Sequence, residues 1–177
     1  LRYAWNLAHG DGLVCNPGER VGGVTSFFHT LVMTLGALFL DKSGAALFVQ
    51  VTGIALVLGV AFLSTGLALA LGVSLPLGLV TGVAVLAYYP LSLWSLMGME
   101  TGVLTVLSTG ALLVAMRLGS DPRGSKILGL LLGLMFATRP DAAVPAAVIL
   151  GFRAVSIVHR HRRLEAHGSW LVELGVF

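Results

Sequence analysis

The stretch W-S-L-M-G-M-E-T, residues 94–101, divides the most apolar part of the chain. Between Lys42 and Arg117, Glu100 is the only Asp, Glu, Lys or Arg. The residues around it are mostly Leu, Val, Ala and Gly, a composition typical of segments that lie in lipid. A carboxylate at the centre of such a helix costs about 2.5–3.5 kcal/mol to insert. We therefore expect Glu100 to lie at a helix end or to serve a function.

The composition of the chain is typical of an integral membrane protein. Of its 177 residues, 56% are hydrophobic and 11% are charged, and the mean hydropathy is +0.94. Soluble domains carry about 25% charged residues. The formal net charge of +3 is small, so the sequence does not indicate nucleic-acid binding. The single cysteine, Cys15, excludes an internal disulfide and a cysteine-based metal site.

Six apolar segments follow a polar opening. They cover residues 24–40, 44–71, 75–93, 101–116, 127–138 and 142–158. We predict an all-α, polytopic helical bundle with an external loop at 1–23, a juxtamembrane or re-entrant helix at 24–41 and about five spans within 44–158. Residues 159–177 are predicted to be a cytoplasmic basic segment and the start of another element. We expect a fragment, because the chain begins at Leu1 without a leader and ends on an apolar stretch.

The orientation of the segments is predicted from the Lys and Arg residues of the short loops. These residues cluster after the fourth segment and after the sixth: Arg117, Arg123 and Lys126, then Arg160, Arg162 and Arg163. If both clusters are cytoplasmic, Glu100 and the corner formed by Arg139, Pro140 and Asp141 both face outside. The first segment either spans the membrane or lies in its outer interface. Its short length and its His29 favour the second arrangement, which places residues 1–23 on the same side as Glu100.

Three polar clusters are expected to meet on the outer face. Besides Glu100, they are residues 16–20 with Asp11, and Arg139 with Asp141. Glu100 can bind a cation, orient a sugar hydroxyl or act as a base, or it can simply favour the dipole of the helix that follows. Arg139 suits a phosphate group because its planar guanidinium donates two parallel hydrogen bonds, or it can pair with Asp141 at a helix corner.

Other features of the sequence are predicted to be structural. His29 has no second histidine at metal-binding spacing, so we expect a hydrogen-bonded core histidine. The G-x-x-x-G spacings are assigned to helix packing at most. These spacings are Gly78/Gly82, Gly98/Gly102 and Gly129/Gly133. The sequence contains no glycine-rich phosphate loop, nucleophile elbow or zinc motif.

Three strings together resemble one family. They are R-Y-A-x-N-L at 2–7 running into G-L-V-x-N-P-G-E-R-V at 12–21, then G-M-E-T at 98–101, then T-R-P-D at 138–141. The chain resembles bacterial polytopic glycosyltransferases of the GT-C fold, notably the arabinofuranosyltransferase-like and mannosyltransferase-like members. Such enzymes transfer a sugar from a polyprenyl-phosphate donor to a cell-envelope glycan or lipid, with inversion, at the outer face of the plasma membrane.

The resemblance also implies roles for individual residues. The main general base of the family, an external-loop aspartate, lies just before the R-Y-A-x-N-L string, which here means before Leu1. Glu100 is then a supporting acid and Arg139 a contact to the donor phosphate. The residues expected to shape the site are Asn16, Glu19, Arg20 and Asp141. No cofactor is specified, and a divalent cation is left open.

Two other functions remain open on the sequence. In the first, the chain is a transporter or channel subunit in which Glu100, Arg139 and Asp141 line a polar pathway. This function predicts that the charges lie near the middle of the membrane, between broken helices. In the second, the chain is a packing subunit that carries no chemistry.

Overall fold

A computed structural model describes residues 1–18, 23–117 and 122–173, without the side chains of Pro122 and of residues 160–173. Within these ranges the chain is helical and contains no β-strand. The helices are α1 (Arg2–Ala8), α2 (Phe27–Phe39), α3 (Lys42–Ala70), α4 (Leu75–Ala87), α5 (Tyr89–Leu96), α6 (Thr101–Arg117), α7 (Pro122–Thr138) and α8 (Ala143–Glu173), with a 3-10 turn at Pro140–Ala142. The predicted all-α class is confirmed.

Two helical stretches of the described residues are long and apolar enough to cross a membrane. They are α3, with 29 residues, and Pro140–His159, with 20 residues. Helices α4 and α5 pass the same test only as a pair, and they are bent by 54°. By length and composition the described chain therefore has two helices that could cross a membrane, or three if the bent pair is one span. The finer prediction of about five spans stays a prediction.

The bend between α4 and α5 divides the segment that the sequence predicts as one span. Pro90 lacks the N–H that would bond to the carbonyl of Leu86, four residues earlier, and its ring would clash with that carbonyl in a continuous helix. Tyr88 accordingly leaves the helical region, with ψ of 91°. The Ser92 hydroxyl donates to the freed Leu86 oxygen at 3.3 Å. The break therefore has a local cause in the sequence.

Helix α2 is short for a membrane span. Its 13 residues give a length of about 20 Å, whereas the hydrocarbon core of a bilayer is about 30 Å thick. The helix contacts α1, α3 and α7. The juxtamembrane or re-entrant placement of residues 24–41 stays a prediction.

Helix α3 packs against four other helices, α2, α4, α5 and α6. Asp41 caps its start, since the Asp41 carboxylate accepts from the Gly44 N–H at 2.8 Å. Its inner face is mostly small, whereas its outward face carries large apolar side chains. The buried residues are Ala45, Gly53, Val57, Val60, Ala61 and Ala68, and the exposed ones include Leu47, Val51, Ile54, Leu58 and Phe62. Large residues outside and small ones inside are the pattern expected of a helix in lipid.

Helices α6, α7 and α8 share the largest apolar core of the described residues. The residues that form it include Val103, Leu107, Ala111, Leu128, Met135, Ala146 and Ile149. Met135 and Thr138, at the end of α7, are completely buried. The Ser108 hydroxyl of α6 lies 3.9 Å from the Met135 sulfur. This packing brings the end of α7 against the first turns of α6.

Candidate functional site

The structure brings three of the predicted site residues into one cluster at the end of the bundle. Arg139 Nη1 donates to Glu100 Oε1 at 3.0 Å, and Arg139 Nε donates to Asp141 Oδ1 at 2.8 Å. The Glu100 side chain is 13% exposed, whereas those of Arg139 and Asp141 are 41% and 63% exposed. Glu100 and the Arg139–Asp141 corner therefore lie at the same end of the bundle, as predicted.

The position of Arg139 follows from the proline after it. A residue before proline disfavours the helical region, and Arg139 is extended, with φ of −152° and ψ of 134°. Helix α7 therefore ends at Thr138. The Arg139 N–H still donates to the Met135 oxygen at 2.9 Å. The guanidinium leaves the end of α7 and reaches the start of α6.

The position of Glu100 follows from the turn between α5 and α6. Gly98 has φ of +76°, a conformation that side-chain-bearing residues rarely adopt. This turn closes with a hydrogen bond from the Met99 N–H to the Trp94 oxygen at 3.0 Å. The Glu100 backbone oxygen accepts from the Leu104 N–H at 2.9 Å, so Glu100 directly precedes α6 and its carbonyl begins the hydrogen-bond ladder of that helix. Its carboxylate lies where the helix dipole favours negative charge.

The cluster contains charges of both signs, so it is not a general anion-binding site. One guanidinium and two carboxylates carry a formal charge of −1. The hydrogen bond to Asp141 raises the pKa of Arg139, so the guanidinium is charged throughout the accessible pH range. A guanidinium has five N–H groups, and the two carboxylates account for two of them in the described residues. The remaining N–H groups can meet a ligand oxygen.

A cavity of about 150 Å³ adjoins Glu100, between α1, α2 and the turn before α6. Its lining is rich in polar groups. The lining residues are Leu1, Tyr3, Ala4, Gly23, Val24, Thr25, Ser26, His29, Thr30, Met33, Gly98 and Glu100. The first-loop region therefore meets the Glu100 turn, which agrees with the prediction that the two share one face. Asn16 is not among the lining residues.

The first loop is held together by Asn6. Its side-chain amide donates to the Val14 oxygen at 2.9 Å and to the Cys15 oxygen at 3.0 Å. The two halves of the first resemblance string are therefore one structural unit. Asn16 follows directly in this loop. Glu19 and Arg20, predicted to shape the site, lie outside the described residues.

A second cavity, of about 440 Å³, lies between α1, the first loop and the start of α3, and the sequence did not predict it. It is lined by Leu1, Arg2, Trp5, Asn6, Asp11, Pro17 and Lys42. The Lys42 ammonium lies 5.6 Å from the centre of the Trp5 ring, and Trp5 stacks on His9 with ring centres 4.2 Å apart. No spacing in the sequence links Lys42 to α1, because the two are 34 or more residues apart.

A groove of about 550 Å³ runs between α3, α4, α5 and α6, and it too was not predicted as a site. Its walls are mostly apolar, with hydroxyl-bearing residues contributed by α3, α4 and α6. It is lined by Val60, Ser64, Thr81, Ala84, Val85, Tyr88, Pro90, Leu91, Trp94, Thr101, Thr105 and Thr109. The three threonines of α6 recur at four-residue spacing, a signal in the sequence that places them on one helix face. One of the lining residues, Thr101, directly follows Glu100 in the chain.

The part of the chain that the structure describes has no group of three His, Cys, Asp or Glu side chains placed to hold a metal ion. Glu100 and Asp141 both point toward Arg139, so each already has a cationic partner. The residues of this cluster can hold an oxygen-bearing group through hydrogen bonds from the Arg139 guanidinium.

Comparison with protein-family models, with curated proteins and with solved structures gave no match for this chain.

Proposed function

We propose that the chain is the membrane portion of a glycosyltransferase. In this proposal it transfers a sugar, arabinofuranose or mannose-like, from a polyprenyl-phosphate donor to a cell-envelope glycan or lipid at the outer face of the membrane. The observation that carries the proposal is the contact of Arg139 with Glu100. It joins two of the three strings on which the family resemblance rests, although 39 residues separate them.

The geometry of Arg139 supports a role toward the donor phosphate. Its guanidinium is part-exposed at the end of a helical bundle. In the proposal this end lies at the membrane interface, where the phosphate of a membrane-embedded lipid lies. The Glu100 carboxylate is mostly buried and holds one side of the guanidinium. Asp141 is exposed and can turn toward solvent, which frees the Nε edge for a phosphate oxygen. A fixed guanidinium then stabilises the charge that develops on the leaving phosphate.

The groove beside Thr101 supports the same assignment. A polyprenyl chain is apolar and needs an apolar surface within the bilayer, and the groove offers a mostly apolar one whose lining includes Thr101, the residue after Glu100. The proposal assigns the principal general base, which takes the proton of the attacking hydroxyl, to a part of the protein before Leu1. Glu100 supports the site through Arg139.

The test is sugar transfer by the full-length protein. Purified protein in proteoliposomes is given polyprenyl-phosphate mannose or polyprenyl-phosphate arabinofuranose with a glycan acceptor, and the product is analysed by NMR. The expected result is transfer from one of the two donors with inversion of the anomeric centre. Absence of transfer from both donors, with either class of acceptor, contradicts the proposal.

The bend between α4 and α5 favours a second candidate, a transporter or channel subunit. Broken helices near charged residues line the pathways of many transporters, and the break at Tyr88 precedes Glu100 in the chain. A pathway requires the charges to be reached from both sides of the membrane. Cysteines introduced at Asn16, Glu100 and Asp141 distinguish the two functions: labelling from the outside alone supports the transferase, and labelling from both sides supports the pathway.

A further inference from the structure

The cavity of about 440 Å³ between α1, the first loop and the start of α3 presents charges of both signs. Its volume lies within the range of small-ligand sites in proteins. Arg2, Asp11 and Lys42 contribute two positive charges and one negative charge to its lining. None of these three side chains forms a salt bridge within the part of the chain that the structure describes. Two cations and one carboxylate are therefore available to a molecule that enters the cavity.

The Lys42 ammonium is held by an aromatic ring rather than by an acid. It lies over Trp5, 5.6 Å from the ring centre, and His9 stacks on the same indole with ring centres 4.2 Å apart. A cation over an indole is attracted to the ring and keeps its charge. Because Trp5 already contacts two side chains, it is not a free platform on which a sugar ring can stack. The lining thus suits an anion better than a neutral sugar.

The three charges together determine the chemistry of the ligand. Arg and Lys side chains bind phosphate groups through charge-assisted hydrogen bonds. The Asp11 carboxylate only accepts hydrogen bonds, so it disfavours a second anionic group and requires a donor such as a hydroxyl. The two cations and one carboxylate give a formal charge of +1, which a singly charged phosphodiester balances. A phosphodiester that carries hydroxyl groups therefore uses all three side chains.

The position of the cavity indicates the source of such a molecule. Lys42 is the first residue of α3, which is long and apolar enough to cross a membrane, so the cavity lies at one end of that helix. Lys and Trp side chains are typical of the membrane interface, the level of phospholipid headgroups. Phe39, Leu40 and Leu47, close to Lys42 in the chain, are exposed and offer apolar surface to acyl chains.

We propose that this cavity binds the headgroup of an anionic phospholipid of the phosphatidylglycerol type. Arg2 and Lys42 bind the phosphate, and Asp11 accepts a hydrogen bond from a hydroxyl of the headgroup glycerol. The lining shares no residue with the charged cluster around Arg139. The proposal therefore does not depend on the proposed glycosyltransferase function.

The experiment measures lipid binding to the full-length protein by native mass spectrometry, with phosphatidylglycerol added from detergent micelles. Arg2→Gln and Lys42→Gln are each expected to raise the Kd of the lipid about tenfold, the effect of one lost charge-assisted hydrogen bond. The matched control is Lys126→Gln, because Lys126 is also an exposed lysine but lies in α7, outside this cavity. We expect the control to keep the Kd of wild type.

An equal rise of the Kd in the control, or no rise in Arg2→Gln and Lys42→Gln, overturns the proposal. Both side chains at the cavity are exposed, so we expect each variant to keep the unfolding midpoint of wild type in the absence of lipid. If loss of the contact with Trp5 lowers that midpoint in Lys42→Gln, the result for Arg2→Gln decides.

The role of Asp11 is tested with a second lipid. Phosphatidylmethanol is a phosphodiester of the same charge as phosphatidylglycerol, but its headgroup has no hydroxyl. We expect wild type to prefer phosphatidylglycerol about tenfold and Asp11→Ala to bind both lipids within about twofold of each other. A preference that persists in Asp11→Ala, or tighter binding of phosphatidylethanolamine than of phosphatidylglycerol by wild type, contradicts the contact between Asp11 and a headgroup hydroxyl.

Two further measurements identify the source of the phosphodiester. Glycerophosphoglycerol, the same headgroup without acyl chains, is expected to bind at least about 100-fold more weakly than the lipid. Equal affinity would indicate a soluble ligand and overturn the lipid assignment. Displacement of phosphatidylglycerol by polyprenyl-phosphate mannose in Arg139→Ala would assign the cavity to the sugar donor and overturn it as well. Binding of phosphatidylglycerol that depends on Arg2, in a protein that transfers no sugar, keeps the lipid site and contradicts the transferase.

Discussion

Arg139 and Arg117 are both arginines at the end of an apolar helix, yet their surroundings differ. Arg117 ends α6 and donates from Nη2 to the backbone oxygen of Gly66 in α3 at 3.0 Å. Arg139 follows α7 and donates to two carboxylates, one of them mostly buried. Arg117 thus binds a helix carbonyl near the end of α3, where cations favour the helix dipole. Arg139 belongs to a cluster of side chains from two helix ends.

This difference makes Arg139, and not Arg117, the candidate for a role in binding or catalysis. A backbone carbonyl near a helix end is available in any bundle, so the contact of Arg117 needs only a neighbouring helix. The cluster of Arg139 needs Glu100 at the first turn of α6 and Pro140 after α7. Arg117 is therefore the matched control for Arg139: the residue type and helix-end position are the same, and the partners differ.

The largest effect on the transfer rate is expected for Arg139→Ala. Removing the guanidinium removes the group that we propose stabilises the leaving phosphate, so the transfer rate of the full-length protein is expected to fall by about 100-fold. Arg117→Ala is expected to keep a rate within twofold of wild type, where twofold is about the error of such comparisons. Initial rates in proteoliposomes measure both. An equal loss in both variants would show that the two arginines act alike, through folding.

A smaller effect is expected for Glu100→Gln. The substitution keeps the shape of the side chain and removes its charge, so the guanidinium loses its buried partner and its fixed orientation. We expect a fall of about tenfold in kcat, with little change in the unfolding midpoint. A rate equal to that of wild type would remove Glu100 from the proposed site.

A still smaller effect on the transfer rate is expected for Asp141→Ala. Asp141 is the most exposed member of the cluster, and exposed ion pairs contribute little. We expect the transfer rate to change by less than about threefold. A loss as large as that of Arg139→Ala would mean that Asp141 itself contacts the substrate, contrary to its placement as a residue that shapes the site.

The smallest expected effect is the loss of stability caused by Arg117→Ala. The lost contact of a cation with the end of α3 is expected to lower the free energy of unfolding by about 0.3–1 kcal/mol. Thermal unfolding in detergent measures it. A larger loss would show that Arg117 holds α3 and α6 together, which the exposed position of its contact does not suggest.

Much of the cluster could be predicted from the sequence because its causes are local. The sequence itself shows that Glu100 is isolated in an apolar block and that Pro140 follows Arg139. The distribution of Lys and Arg among the loops predicts that both lie at one end of the bundle. The break at Tyr88 also has a local cause in Pro90. It was missed because the hydropathy of the segment is continuous across it.

Features that depend on distant contacts could not be predicted. Gly78 and Gly82 of α4 pack against side chains of α3, whereas Gly129 and Gly133 of α7 have no atom of the described residues within 4 Å of an added Cβ. The spacing is the same in both pairs, so only the packing separates them. Gly98 lies in a turn rather than on a helix, yet a Cβ added there would meet Val49 of α3 and one added at Gly102 would meet Leu56 of α3, so this pair also serves packing. The contact of His29 Nε2 with the Gly98 oxygen likewise joins residues that are 69 positions apart.

The most direct test of the central claim is the binding of polyprenyl phosphate to the full-length protein in nanodiscs. We expect Arg139→Ala to raise the dissociation constant at least tenfold, because the phosphate loses its charge-assisted hydrogen bonds, and Arg117→Ala to leave it unchanged. The same dissociation constant in wild type and both variants would contradict the account, since it would mean that Arg139 does not meet the phosphate of the lipid.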